Sequence, residues 1–451
     1  MTKSRVAVAR KVALQVLGEV RRRDARARDV LRTSKRMEAL EQRERAQVTR
    51  LVMSVVGSRG MLDKVIDGHI KARSSVEPQV RDALRIASYE LLCMSTPASV
   101  AVSQGVELVR GIRPRAAGMA NAVLRRTAED DALKRRTALE RVRSGNANAF
   151  DLELVSGYPA WLLELIRTDR GDEACLRFAL SALEPAPVYV APNLNKSDGE
   201  TTFERLSRAG LEPVVMEDGE SAMLAAPAGL HTTGLVQGVD VIPADLSAQR
   251  VARLVIPEQG GRLLEVGQGR GTKSLLMQNV ARRRDIMLNI TGVDVEAFKT
   301  QVAQKRMERA GLSSAVRCVT YDACALDQSS AAEVLGTHEP FDAVFVDAPC
   351  SGVGTLRRHP EIAWALTKND VESLHELQLS MLRAASTWVK PGGMLSYATC
   401  SVLKRENEEV VDDFLQNDQG VAFERAAQAM QTMPKQAGPD GHFCQCLRRA
   451  G

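Results

Sequence analysis

"LLEVGQGRGTKSLLMQ", residues 263–278, is the stretch on which the fold class turns. It reads as a short apolar strand, a loop carrying Gly267, Gly269 and Gly271, and the start of a helix. Alternating glycines let a backbone bend sharply and let a ligand approach its amides. The same texture continues downstream. Apolar runs of strand length ("MLNITGVDV" from 287, "AVRCVTYD" from 315, "DAVFVDAP" from 342, "GGMLSYATC" from 392) alternate with helical segments. Near-continuous apolar strands separated by helices indicate a doubly wound, mostly parallel sheet covered on both faces. A Rossmann-like α/β domain is therefore expected over 246–451. An antiparallel hairpin from "VAFERA" (421–426) to "GHFCQCLRRA" (441–450) closes it.

Four successive strands end in an acid: Glu265, Asp294, Asp322 and Asp347. Ligands of such sheets bind beyond the carboxyl ends of the strands. Asp294, two dozen residues after the glycine loop, is placed to accept hydrogen bonds from two ribose hydroxyls. Any one of these acids could instead cap a helix. A dinucleotide suits G-x-G-x-x-G, but position 272 is Thr. The acidic rim suits a nucleoside ligand with little phosphate, such as S-adenosylmethionine, better than NAD or ATP.

Two of these strands also end near a cysteine. Cys350 follows the fourth in "DAPCSG" and Cys400 follows the fifth in "SYATCS". If the two strands are neighbours, both thiols open into one cleft beside Asp347. Two thiols suit a reaction that needs a nucleophile and then a helper. Methylation of carbon 5 of a pyrimidine is one. A thiolate adding to carbon 6 makes carbon 5 enamine-like, a base then removes the carbon-5 proton, and an acid near ring nitrogen 3 stabilises the adduct. Spacing alone does not rank the two sulfurs. The other cysteines read as structural, with no C-x-x-C pair and no second pair beside Cys444 and Cys446, so neither a metal site nor a disulfide framework is expected.

The front of the chain differs. Residues 1–145 hold 31 Lys and Arg against 16 Asp and Glu, whereas the whole chain holds 61 against 56. That basic half, densest at "RRRDARARDVLRTSKR" (21–36), suggests a polyanion such as nucleic acid. Val12, Val16 and Val20, and Leu84, Ala87 and Leu91, recur at helical spacing, with polar breaks at 74–78, 95–99 and 113–115. A helical bundle over 1–135 is expected, then a linker over 136–157, then a small α/β subdomain over 158–245. No run is long and apolar enough for a membrane span, and the amphipathic N-terminus does not read as a signal peptide. A cytoplasmic, monomeric protein is expected.

"DAPCSGVGTLRRHPEIAW" (347–364) and "GGMLSYATCSVLKRENEEVV" (392–411) resemble the two cysteine motifs of the Sun/Nol1/Nop2 family of RNA cytosine-5 methyltransferases. "ALRIASYELLCMSTPASVAVSQGVELVRGIRPRAAGMANAVLRR" (83–126) is similar to the NusB-like RNA-binding domain fused ahead of some bacterial members. The resemblance spans nearly the whole chain. It implies S-adenosylmethionine as cofactor and RNA, 16S ribosomal RNA in particular, as partner. It also implies Cys400 as the nucleophile, Cys350 as the group assisting release (as base or in breaking the adduct), and Asp347 as the residue holding the cytosine edge. Gly267, Gln268, Gly269, Arg270, Gly271, Thr272 and Lys273 match the cofactor loop. Asp294 matches the ribose-binding acid, Asp322 the acid near adenine, and Asp347 also borders the cofactor. The family loop reads D-x-C-A-A-P-G-G-K-T. Here Glu265 replaces Asp and Arg270 stands at the proline. Ala191 stands where an Arg is usual, and "DGHF" (440–443) replaces "DGFF". Arg357, Arg358 and His359 follow the cysteine loop and are candidates for the RNA backbone. The competing reading is a non-catalytic RNA-binding or antitermination factor with a degenerate methyltransferase domain, for which the altered glycine loop is the best support.

Overall fold

The computed structural model describes residues 6–70 and 76–451, so the predicted break at 74–78 lies partly outside the described residues. The chain divides into two compact units. One comprises the residues up to Pro185 together with Leu356–Leu366, the other Ala186–Thr355 with Thr367–Gly451.

The first unit is helical. Its longer helices are Val8–Arg23, Gln42–Gly57, Pro78–Cys93 and Ala98–Ile112. Val16, Leu51, Leu84, Ala87 and Leu124 are fully buried among them, which is where the 3.6-residue period places them. One ion pair is buried in this core. Arg10 grips Glu90 with two hydrogen bonds of 2.9 and 2.7 Å, satisfying both groups at once. The expected linker is mostly helix: Ala132–Arg143 is followed by Ala149–Ser156, whose capping box joins Asn148 and Asp151. Asp151 is itself buried and paired with Arg141, so the small polar residues of "RSGNANAF" serve as a helix start, not a tether. Helices Ala160–Arg170 and Asp172–Ser181 also belong to this unit. They bury Leu162, Leu163, Ile166 and Phe178, the last 5.4 Å from the Tyr158 ring. The small α/β subdomain therefore starts near Ala186, not at 158.

The second unit opens with a four-stranded antiparallel sheet: β1 (Val188–Pro192), β2 (Pro213–Val215), β3 (Ala222–Leu224) and β4 (Val241–Pro243), in the order β2-β3-β1-β4. Ala191 is buried in β1 and joins the hydrophobic core of the larger sheet.

The larger sheet holds β5 (Gly261–Val266), β6 (Leu288–Asp294), β7 (Val316–Thr320), β8 (Phe341–Asp347), β9 (Val389–Thr399), β10 (Phe423–Arg425), β11 (Met430–Gln431) and β12 (Phe443–Arg449). Its order is β10-β12-β9-β8-β5-β6-β7, with β11 paired to β12. The strands from β5 to β9 run parallel, and β12 is antiparallel to β9. The chain reverses its direction of travel across the sheet between β5 and β8, the crevice where open α/β sheets bind ligands. Leu264, Val266, Val344, Val346 and Leu395 fill one face, and Leu263, Leu275, Met277, Ile290 and Phe345 the other. Among the described residues no helix is long and apolar enough to cross a membrane.

Candidate active site

The glycine loop joins β5 to the helix Thr272–Arg284. Gly267 has φ +82°, and a Cβ on it would lie 2.2 Å from the Asp347 carbonyl oxygen. This position therefore needs glycine for both conformation and space. The amide of Gly269 donates to Asp294 at 3.0 Å, and the other Asp294 oxygen takes the Glu296 amide at 2.9 Å. Asp294 is thus fixed at the tip of β6, joining loop to strand. Val295 beside it is 65% exposed, an apolar face next to a carboxylate. Asp322 follows β7, is exposed, and caps a short helical turn by accepting from the Cys324 amide.

Several loop residues turn elsewhere than the sequence suggests. The Gln268 side chain is buried and points into the sheet, filling the space that a Cβ on Gly292 would need. It donates to Ser274 at 3.0 Å, and Ser274 donates to Glu265 at 2.5 Å. Only the Gln268 backbone faces the loop, because its amide is spent on the Val293 carbonyl and its side chain on this buried chain. Glu265 is likewise buried beneath the loop and does not reach the rim. Burial raises its pKa to about 8, more than the Ser274 hydrogen bond lowers it. The Thr272 hydroxyl and the Arg270 carbonyl both accept from Arg306, so the Arg270 side chain is left exposed at the surface.

Lys273 reaches away from the loop to Asp347, with Nζ 2.6 Å from Oδ2 and both side chains mostly buried. Burial works against its charge. The carboxylate of Asp347, with smaller help from Cys400 and Glu265, outweighs it and holds the ammonium above its ordinary range.

The two cysteines meet. β8 and β9 are adjacent and parallel, with Asp347 opposite Ala398, and the Sγ atoms of Cys350 and Cys400 lie 3.0 Å apart without a disulfide. The Cys400 amide also points at the Cys350 sulfur at 3.3 Å. Cys350 is pushed well above the usual thiol range by its contact with the Cys400 sulfur, by burial, and by the nearby Cys400 and Glu406.

Around the sulfurs the two loops are locked together. Gly354 donates to the Cys400 carbonyl at 3.0 Å, and Gly441 donates to the Gly354 carbonyl at 2.9 Å. Gly441 lies in the "DGHF" segment, whose Asp440 amide is bound by Asp245. Beneath the sulfurs sits Glu406, fully buried, accepting from the Ser351 amide (2.7 Å) and from the hydroxyls of Ser351 and Ser401 (both 2.5 Å). Gln378 adds a donor at 3.2 Å and also binds the Pro349 carbonyl. Sequence reasoning missed Glu406, although it stands inside the quoted "LKRENEEVV". The available signal was an acid after a cysteine loop in a run with no helical face of its own.

Arg357, Arg358 and His359 are half-buried within the helical unit and do not form a solvated loop. The site residues fit S-adenosylmethionine. The loop at Gly267 leaves backbone where any side chain would collide, Asp294 and Asp322 offer carboxylates to hydroxyl and amino donors, and Val295 offers an apolar face to a base.

A family model described as 16S rRNA methyltransferase RsmB/F matches residues 252–448, and the NusB family model matches residues 7–129. A ribosomal RNA small subunit methyltransferase B of Xanthomonas campestris pv. campestris is 32% identical over 90% of this chain and 90% of its own length. A probable ribosomal RNA small subunit methyltransferase B of Bacillus subtilis is 26% identical over 98% of this chain and 99% of its own. The solved structure of PH0851 shares the fold across 99% of this chain and 100% of its own, with TM-score 0.76 at 21% identity.

Proposed function

Because the chain belongs to the family of ribosomal RNA small subunit methyltransferase B, we propose that it methylates carbon 5 of a cytosine in 16S ribosomal RNA through a covalent bond to Cys400. The chain is an S-adenosylmethionine-dependent methyltransferase of the class I fold, with a NusB-type helical unit ahead of it. The observation that carries the covalent reading is the sulfur pair. Two thiols lie 3.0 Å apart at the ends of neighbouring parallel strands, next to an ion-paired acid.

When bound, S-adenosylmethionine supplies the methyl group. Gly267, Gly269, Asp294 and Asp322 hold it. Gln268, Arg270 and Thr272 shape the loop through backbone and packing. Cys400 gives up its proton to solvent and adds as the thiolate to carbon 6 of the ring. Carbon 5 becomes enamine-like, and the cofactor would supply the methyl to it and leave as S-adenosylhomocysteine. Asp347 accepts from the exocyclic amino group of the cytosine and orients its edge, while Lys273 keeps that carboxylate in place. A solvent water then takes the carbon-5 proton, the electron pair of that bond restores the ring double bond, and the bond from carbon 6 to sulfur breaks with its electron pair on Cys400. Cys350 donates its S–H to the departing sulfur and so lowers the barrier to release. The ring must be reached from both faces, so the target base is single-stranded or flipped out.

The test is transfer of tritiated methyl from S-adenosylmethionine into 16S rRNA that lacks the modification, with bisulfite sequencing to find the nucleotide. One cytosine converted to a protected position is the expected result. No incorporation, with no S-adenosylmethionine binding by calorimetry, overturns the reading and leaves a non-catalytic RNA-binding protein.

A further inference from the structure

A fully buried carboxylate beside the sulfurs has no part in the proposed chemistry. Glu406 lies outside regular strand and helix, on a short turn after β9, yet none of its surface is exposed. A buried carboxylate persists only where donors compensate its lost hydration. Its four donors come from three separate pieces of chain. Ser351 supplies its amide and hydroxyl from the Cys350 loop, Ser401 its hydroxyl from the Cys400 loop, and Gln378 its side-chain amide from the helix Lys368–Ser386. Ser351 and Ser401 are each the residue immediately after a site cysteine. The Tyr397 hydroxyl fastens the Glu406 carbonyl at 2.6 Å, which fixes the turn itself.

We infer that Glu406 is a positioning residue for methyl transfer: one carboxylate ties the Cys350 and Cys400 loops together, setting the distance between the sulfurs and making their surroundings unequal. Geometry gives the first part, since each oxygen of Glu406 bonds the Cys350 loop and one of them also bonds the Cys400 loop. Electrostatics gives the second. The groups facing Cys350 are the Cys400 sulfur, the Glu406 carboxylate and the Tyr397 phenol, with the Lys273–Asp347 pair beyond Cys400. After the Cys400 contact and burial, the Glu406 carboxyl adds to what disfavours ionisation of Cys350.

This inference rests on the proposed cytosine methylation, and its test separates the two. Glu406→Gln keeps the shape, removes the charge and leaves one acceptor oxygen in place of two. The expected result is a fall in kcat on the order of tenfold to a hundredfold, with KM for RNA and S-adenosylmethionine affinity unchanged. A second measurement needs no methylation. In a Cys400→Ser background, the pH midpoint for iodoacetamide alkylation of Cys350 should move down by about one unit when Glu406→Gln is added. The double variant Ser351→Ala, Ser401→Ala unties the loops and leaves the charge, so it should lower kcat without moving that midpoint. An unchanged kcat in Glu406→Gln, or an unmoved midpoint, overturns the inference. An inactive wild-type protein would instead overturn the methylation reading, and the midpoint would still report on Glu406.

Discussion

Cys400 and Cys350 occupy equivalent places at the ends of two neighbouring strands, and only their surroundings distinguish them. Cys400→Ser should abolish methylation, because a hydroxyl in this site has no comparable nucleophilicity. Cys350→Ala should instead allow attack and slow release, so that a protein–RNA complex resistant to denaturing gels accumulates. The reverse pair of outcomes would exchange the two roles. Glu265 gives a second residue-level expectation, one of stability. Its folded-state pKa is raised to about 8, above the ordinary 4.5. The folded protein therefore holds a proton that the unfolded chain has already lost, and stability falls as pH rises from about 4.5 to 8. Thermal melts of Glu265→Gln should lose that part of the slope, since glutamine carries no proton to release. A variant with the wild-type slope would show that Glu265 is charged at neutral pH.

At the scale of elements, the site consists of loops held at fixed separations by backbone contacts. A Cβ on Gly354 would come 2.1 Å from the Gly441 carbonyl oxygen and 2.7 Å from that of Cys400. Gly354→Ala must therefore push the Cys350 loop away from both the Cys400 loop and the "DGHF" segment. A destabilisation of about 1–3 kcal/mol by denaturant titration is expected, together with loss of methyl transfer. Gly267→Ala adds strain at φ +82° and a collision with the Asp347 carbonyl. S-adenosylmethionine affinity should fall on the order of tenfold by calorimetry, about 1.4 kcal/mol. The strands that carry these loops were legible in the sequence because buried parallel strands are apolar runs, and their ends are marked by Asp, Cys and Gly. The direction of the Gln268 side chain was not. Its loop position matched a ligand-binding pattern, and only the hollow at Gly292 in the neighbouring strand explains why it turns inward.

For the whole molecule, the informative feature is the path of the chain. It leaves the α/β unit after Thr355, contributes Leu356–Leu366 to the helical unit, and returns at Thr367. Trp364 secures that excursion. Its indole N–H donates to the carbonyls of Gly57 and Gly157, both at 2.9 Å, and its ring occupies the space a Cβ on Gly60 would need. Trp364→Ala should cost the helical unit about 3–5 kcal/mol, seen by calorimetry as a lower unfolding temperature for that unit. S-adenosylmethionine binding, which belongs to the other unit, should be retained. Loss of both together would mean that the units unfold as one.

Periodicity, composition and a few marked positions in the sequence determined the helical front, the doubly wound sheet, the glycine loop and the presence of two thiols at strand ends. These depend on local rules, in which burial on one face or two sets the spacing of apolar residues and tight turns demand glycine. What only the tertiary structure decided is the relation among those parts. Lys273 was read as a residue of the cofactor loop, and it reaches instead to Asp347, 74 positions along the chain. Ser351 and Glu406 meet from 55 positions apart, a pairing that no local period encodes. The two sulfurs come within 3.0 Å only because β8 and β9 lie side by side.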